Sequence, residues 1–384
     1  MKKGWKIATL GDVLAVLKNG VNCKQDKSGK GQRISRIESI ASATFDMNRV
    51  GYASLSEAER KKYRLERGDI LFSHINSAIH VGKTATFDID EDVYHGVNLL
   101  LMRPKAEVAS GFLNMYLKHL FEMGYWRTRC KQSVNQASVN QQDINRVPIR
   151  YPIDCSEQHR IVAILEEAFV GIATAKANAE KNLKNVNLFL ESSVQSIFSQ
   201  VGQAGSVVTL DKLSENLDNK RIPITKGDRE PGDYPYYGAS GIVDYVKRHI
   251  FEGEALLVSE DGANLLARST PIAFSVSGKY WVNNHAHILK FKDMATQRYV
   301  EFYLESIKIN EFVTGMAQPK LTQKALYLIP IPIPDSVSGR QAVVSEVEML
   351  YEVTNKLKSA YEQKLSALDE LKQSLLHRAF NGDL

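Results

Sequence analysis

The sequence predicts an α+β protein: two β-rich mixed α/β domains joined by two long antiparallel coiled-coil helices, with a pseudo-twofold internal repeat. Three observations carry this prediction. The chain matches itself in pattern at an offset of 182 residues, two stretches of about 45 residues are almost free of glycine and proline, and the rest consists of short apolar runs broken by glycine.

The repeat sets the register. Gln136-Ala137-Ser138-Val139-Asn140-Gln141 falls on Gln318-Pro319-Lys320-Leu321-Thr322-Gln323, and Val147-Pro148-Ile149-Arg150-Tyr151-Pro152 on Ile329-Pro330-Ile331-Pro332-Ile333-Pro334. Ser196-Ile197-Phe198 falls on Arg378-Ala379-Phe380. Within the first domain, 1–153, strands are expected at Asp69–Ser73 and Lys83–Phe87 and a helix at Gly111–Met123; within the second, 203–335, strands at Ala255–Ser259 and Pro271–Val276 and a helix at Thr296–Val313.

The glycine-poor stretches, 154–202 and 336–384, carry apolar residues every three or four positions, including Leu165, Leu183 and Leu190 in the first and Leu357, Leu365, Leu368 and Leu375 in the second. Each stripe needs a partner, and the simplest partner is the other. Because the second domain is spliced between the two helices, a domain whose ends lie together turns the second helix back antiparallel. A helix of about 40 residues is about 60 Å long. Heads at the ends of such a rod suit two DNA tracts one or two turns of about 34 Å apart.

Composition narrows the function. With 43% hydrophobic and 24% charged residues and no run of about 18 apolar residues, the chain reads as soluble, with no membrane partner and no visible signal peptide. Cys23, Cys130 and Cys155 are odd in number and widely spaced, which suits inert thiols in a reducing cytoplasm. Residues 1–153 hold 24 Lys/Arg against 15 Asp/Glu, a net +9, whereas 203–335 hold 15 against 16, so the basic surface that suits a polyanion belongs to the first domain.

Base edges are read by side chains that offer paired donors and acceptors, and phosphates are neutralised by Lys and Arg. The stretch from Lys131 to Gln142 is dense in the first kind, with Gln136, Ser138, Asn140 and Gln141 as candidates; Arg127, Arg129 and Lys131 supply the second, over Tyr125 and Trp126. The matching loop of the second domain offers Gln318, Lys320, Thr322 and Gln323. Polar residues after the β-runs add Ser73, His74, Asn76 and Lys83, then Tyr237, Ser240, Ser259, Asp261, Asn264 and Arg268. The same residue types make turns and caps, and a loop that recurs in both domains is in part scaffold.

Catalytic signatures are incomplete. The Asn/Asp-Pro-Pro-aromatic loop of an amino-methyltransferase is missing. Gly82-Lys83-Thr84 echoes a phosphate-binding loop, but Ser77 stands where that loop needs glycine. Asp335, Glu362 and Lys364 imitate a nuclease spacing, yet the last two sit where charges solubilise a helix. His285 and His287 are expected to point the same way on a strand, with neither a Cys nor a third His nearby.

The chain resembles the specificity subunit of Type I restriction-modification enzymes over essentially all 384 residues. The resemblance rests on Gly315-Met316-Ala317-Gln318-Pro319-Lys320-Leu321-Thr322 followed by Leu328-Ile329-Pro330-Ile331-Pro332-Ile333-Pro334, which is similar to the closing signature of that family's target recognition domain. Pro235-Tyr236-Tyr237-Gly238-Ala239-Ser240-Gly241-Ile242, Glu260-Asp261-Gly262-Ala263, and Arg67-Gly68-Asp69-Ile70-Leu71-Phe72-Ser73 with Gly82-Lys83 fit in order. Ser133 replaces Gly315 in the first half, which bears on the loop geometry there. The resemblance implies two target recognition domains on double-stranded DNA, one per half of a split sequence. It also implies helices that bind two methyltransferase subunits, and a separate restriction and translocase subunit. S-adenosylmethionine, ATP and magnesium then belong to the partners, with no cofactor and no metal in this chain. The competing readings are a nuclease or methyltransferase with an unrecognised active site, and a two-headed coiled-coil adaptor.

Overall fold

The computed structural model describes residues 3–27, 29–133, 136–315 and 317–384 and forms two compact units, Met1–Asn178 with Lys364–Leu384 and Ala179–Gln363. Helices α1 (Ser110–Glu122), α2 (Gln141–Asn145), α3 (Cys155–Ala204), α4 (Met294–Ser306), α5 (Gln323–Tyr327) and α6 (Val337–Asn381) organise the chain. Both α3 and α6 contribute to each unit.

In unit 1, β1 (Trp5–Thr9) pairs antiparallel with β9 (Pro148–Pro152). The main sheet has strand order β2-β6-β3-β5, formed by β2 (Leu14–Asn19), β3 (Ile70–Phe72), β5 (Thr84–Thr86) and β6 (Leu100–Pro104). Ile70, Leu71, Phe72, Leu100, Leu101 and Met102 are all buried, which explains why the central strands read as continuous apolar runs and not as alternation. A smaller sheet runs β4 (Ile75–Asn76), β8 (Gln136–Ser138), β7 (Lys131–Ser133).

Unit 2 repeats the plan. Its β10 (Ser206–Thr209) pairs with β19 (Pro330–Ile333), and its main sheet has order β11-β18-β15-β16, from β11 (Ser214–Asn216), β15 (Ala255–Ser259), β16 (Ala273–Val276) and β18 (Ala286–Phe291). A second sheet of β12 (Pro231–Gly238), β13 (Gly241–Val246), β14 (Phe251–Glu252) and β17 (Lys279–Val282) is added. The proline-rich strands β9 and β19 each pair on one side only, where a missing N–H costs nothing in the ladder. Their carbonyls still accept: Tyr116 Oη donates to Pro148 O at 2.6 Å, and Tyr303 Oη donates to Pro330 O at 2.9 Å.

The helices complete each unit in the same way. In unit 1, Ile161 and Leu165 of α3 share a core with Leu376, Ala379 and Phe380 of α6. Lys176 donates to Asp369 at 2.7 Å and Arg160 to the Leu384 carbonyl at 3.0 Å, so the segments run antiparallel. In unit 2, Leu190, Val194 and Phe198 of α3 meet Val344 and Val347 of α6. The matched phenylalanines do matched work. Phe380 packs edge-on against Phe112 and Tyr116, at 5.5 and 5.1 Å between centroids, and Phe198 against Tyr299 and Tyr303, at 5.3 and 5.4 Å.

Two expectations are corrected. The helix expected over Thr296–Val313 starts at Met294, where Asp293 caps it by accepting from Thr296 N, and stops at Ser306; Ile307 is extended and Ile309 is buried in the core. The apolar stripe of α6 is also shifted. Leu165 and Leu190 are buried, and Leu183, Leu365, Leu368 and Leu375 are half-buried, but Leu357 is 43% exposed and Leu376 is the buried neighbour of Leu375. The buried line runs from Val347, which the stripe includes, through Thr354, which it does not; the Thr354 hydroxyl donates back to Leu350 O at 2.7 Å. A self-satisfied threonine can occupy such a line, and a count of apolar residues passes over it.

Candidate nucleic-acid interface

One hydrogen bond places the expected recognition segment in both units. Val139 N donates to His74 O at 2.9 Å beyond β3, and Leu321 N donates to Glu260 O at 2.8 Å beyond β15. Just after it, Asn140 accepts from Asp143 N at 2.8 Å to cap α2, and Thr322 accepts from Ala325 N at 3.2 Å to cap α5. These two side chains, expected to contact DNA, are therefore helix caps.

In unit 1 the segment is a ribbon. Gln136 pairs with Ser133 and Ser138 with Lys131, while Ala137 pairs with Gln132 and Asn76. Ala137 is buried in the core, so Lys131, Ser133, Gln136 and Ser138 share the face turned away from it. Lys131, Gln132, Ser133 and Gln136 are exposed, and β7 is the sheet's outer edge. Val134 and Asn135, part of the polar stretch, lie outside the described residues. Arg127 and Arg129 are exposed just before the ribbon, and the Arg129 guanidinium lies 3.9 Å over the Tyr125 ring. Beneath, Trp126 is buried and meets Phe72 edge-on at 5.0 Å.

The remaining unit 1 candidates lie further in. His74 is only 6% exposed, which is at odds with direct base contact. Gln141 donates to Asn19 Oδ1 at 2.7 Å, and Asn19 Nδ2 donates to His74 Nε2 at 3.3 Å. Burial pushes the His74 pKa down to about 4, so the ring is neutral and can accept. Asn76 is half-buried and donates to Ser73 Oγ at 3.2 Å. Lys83 donates to Ala41 O at 3.1 Å, Thr84 is buried, and Gly82 (φ 94°) lies so close to Trp126 that a Cβ would collide with the indole. This segment is a packed turn, and its likeness to a phosphate loop is only in sequence.

Unit 2 loses more of its candidates to structure. Ser259 is fully buried and donates to Ala239 O. Asn264 closes its own turn, donating to Thr270 O at 2.9 Å and accepting from Thr270 N at 3.0 Å. Arg268, in the left-handed region at φ 51°, donates to Leu304 O and Ile307 O at 3.3 and 2.8 Å, and burial lowers its pKa. Tyr237 is half-buried beside Phe274 and Tyr280, and burial raises its hydroxyl pKa. Ser240, between β12 and β13, is exposed, as are Gln318, Lys320 and Gln323, the last donating to Tyr327 Oη at 3.1 Å. Met316 lies outside the described residues.

The histidine pair separates. His285 Nδ1 lies 2.9 Å from Asp261, whereas His287, 1% exposed, faces Asp218 at 2.6 Å. Among the described residues, Asp218, Glu260 and His287 bring three potential metal-ligand atoms within 4.8 Å of one another. Arg221 already lies 2.7 Å from Glu260 and 3.4 Å from Asp218, and Lys320 3.2 Å from Glu260. The carboxylates are thus balanced by neighbouring cationic side chains. Sequence reading missed Asp218, Arg221 and Glu260, because no local spacing links residues 218, 260 and 287.

The duplicated plan and the paired recognition ends define a two-domain specificity protein. The Type I restriction modification DNA specificity domain family matches residues 2–184 and 206–367, and the chain belongs to it. It is the DNA-recognition subunit of a Type I restriction-modification system. It is 27% identical to the type I restriction enzyme MjaX specificity subunit of Methanocaldococcus jannaschii, over 99% of this chain and 93% of that one. It is 34% identical to the specificity subunit S.HindORF215P of Haemophilus influenzae, over 45% of this chain and 43% of that one. The fold is shared with the HsdS subunit of Thermoanaerobacter tengcongensis, with a TM-score of 0.68 at 16% identity over 100% of this chain and 98% of that one. It is shared also with a chain from a type I R-M system assembly, with a TM-score of 0.73 at 15% identity over 100% and 99%.

Proposed function

We propose that the chain binds a bipartite DNA target with one domain on each half, and that the β7–β8 ribbon of unit 1 is the principal reader of its half. The ribbon's outward face carries this reading: Lys131, Ser133, Gln136 and Ser138 lie on the paired strands β7 and β8 of the small sheet, and the major groove admits a β-ribbon of two strands. Gln136 pairs with adenine, and Arg127 and Arg129 hold phosphates. In unit 2 the readers are Gln318, Lys320, Gln323 and Ser240.

Catalysis belongs to the partners, which bring S-adenosylmethionine, ATP and magnesium. In support, Asp335 accepts from Ser206 at 2.8 Å, Glu362 is an exposed helix residue, and neither belongs to the group of potential metal ligands found among the described residues. Two methyltransferase subunits dock on α3 and α6, where Phe189, Met349, Val353 and Leu357 are among the exposed apolar residues. The restriction subunit joins through them. No described helix is long and apolar enough to cross a membrane, and we place the complex in the cytoplasm.

The test is the complex itself. Exchanging residues 1–153 for those of a relative changes one half of the methylated sequence and leaves the other; a change in both halves refutes the assignment of one domain to each half. Turnover of DNA by the isolated chain refutes the non-catalytic reading.

A further inference from the structure

Unit 2 holds a buried charge that the proposed reading does not use. His287 sits in β18 with Nδ1 2.6 Å from Asp218 Oδ2 and Nε2 2.8 Å from Leu321 O. A peptide carbonyl only accepts. Asp218 also only accepts: burial works to raise its pKa, but its Oδ1 takes the Ile288 N–H at 2.9 Å and its Oδ2 stands 3.4 Å from the Arg221 guanidinium, and these partners hold it as a carboxylate. Two accepting partners require both ring nitrogens to donate. The side chain is therefore an imidazolium.

The surrounding charges suit that state. Glu260 lies 3.8 Å from His287 Nδ1 and takes Arg221 and Lys320 on its oxygens; Asp261 and His285 flank the group as their own pair. The bond to Leu321 O fastens the segment together with backbone bonds on either side: Leu321 N donates to Glu260 O at 2.8 Å, Gly262 N to Pro319 O at 3.0 Å, and Lys320 and Thr314 exchange N–H bonds to each other's carbonyls at 2.7 and 2.9 Å. Gln318 and Lys320 are carried on that segment.

We propose that His287 is a positioning residue for DNA recognition by the second domain: its buried imidazolium, braced by Asp218, holds the Leu321 carbonyl and thereby presents Gln318 and Lys320 at the surface. The inference rests on the proposed reading of this loop as a DNA contact. Unit 1 achieves the same placement by strand pairing, with Ala137 opposite Asn76 and Ser138 opposite Ile75.

The experiment uses the full chain in complex with its methyltransferase subunits and a duplex carrying the mapped target. His287→Leu and the milder His287→Gln are each expected to lower specific affinity about tenfold or more, with the lost discrimination confined to the bases of one half-site. ¹⁵N-histidine labelling is expected to show both His287 ring nitrogens protonated in the free chain. A neutral ring overturns the proposal, as does unchanged binding by folded variants or loss spread over both half-sites. Should His287→Leu not fold, His287→Gln and the labelled wild type still decide. If the wild-type complex binds no duplex, the DNA reading itself fails, a different outcome from wild-type binding that the variants match.

Discussion

The two recognition ends are built on one backbone hydrogen bond and one helix cap, and diverge in the side chains gathered around them. In unit 1 the residue whose carbonyl accepts that bond is His74, neutral and joined by uncharged partners, Asn19 and Gln141; in unit 2 it is Glu260, within a cluster of Asp218, Arg221, His287 and Lys320. A polar ribbon projects from the first, and a pinned loop covers the second. Duplication preserved the scaffold, and each copy then acquired its own means of aiming the side chains, as expected when two domains must read different bases.

The strongest way to break the symmetry is through the matched phenylalanines. Phe380→Ala and Phe198→Ala should each cost about 3–5 kcal/mol, from lost burial and ring contacts. Calorimetry of the two variants should show each destabilising its own unit; equal melting curves for variants and wild type would contradict the packing described.

Gly82→Ala should come next, at roughly 2–4 kcal/mol, since a Cβ meets Trp126 while the backbone sits at positive φ. Urea unfolding followed by tryptophan fluorescence tests it.

Acid should act on unit 1 first. The pKa values of His74 and His95 are both lowered to about 4 by burial, so the unfolded chain binds more protons between about pH 6.5 and 4. The sign follows: stability is full above about pH 6.5 and is lost as pH falls toward 4, on the order of 3 kcal/mol for His74. Unchanged unit 1 amide exchange between pH 7 and 5 would refute neutral burial of the two rings.

Gln136→Ala is expected to lose about 1–3 kcal/mol of discrimination at one base pair, whereas Arg129→Ala should weaken all sequences alike and flatten the salt dependence. Binding titrations at several salt concentrations on target and mutated duplexes separate the two. The smallest effect on the chain itself should come from Leu357→Glu. At 43% exposure it should leave stability within about 0.5 kcal/mol, yet block assembly with the methyltransferase, as size-exclusion chromatography would show.

The framework was legible because periodicity and repeats survive in one dimension. The offset of 182 residues equates Pro148 with Pro330 and Phe198 with Phe380, and each pair occupies equivalent surroundings. The site was legible only in part. Asn140 and Thr322 have the right chemistry for DNA and are spent as caps; Ser259 ends the right strand and His74 follows one, and both are buried. Composition cannot tell a polar side chain that faces water from one that satisfies a neighbour. The His287 cluster was invisible because its members are scattered between residues 218 and 320.

The helix ends have a consequence for how the chain is made. Ile161, Leu165 and the helix α1 face that carries Phe112 and Tyr116 find their partners in Leu376, Ala379 and Phe380. The domain translated first is therefore the last to close, with its core incomplete until the final turns of α6 emerge from the ribosome. Unit 2, drawn from one continuous span, can fold hundreds of residues after translation of the first domain began and still be finished before it. A stop codon near position 364 should spare the second domain and leave the first open, the reverse of what its place in the reading frame suggests.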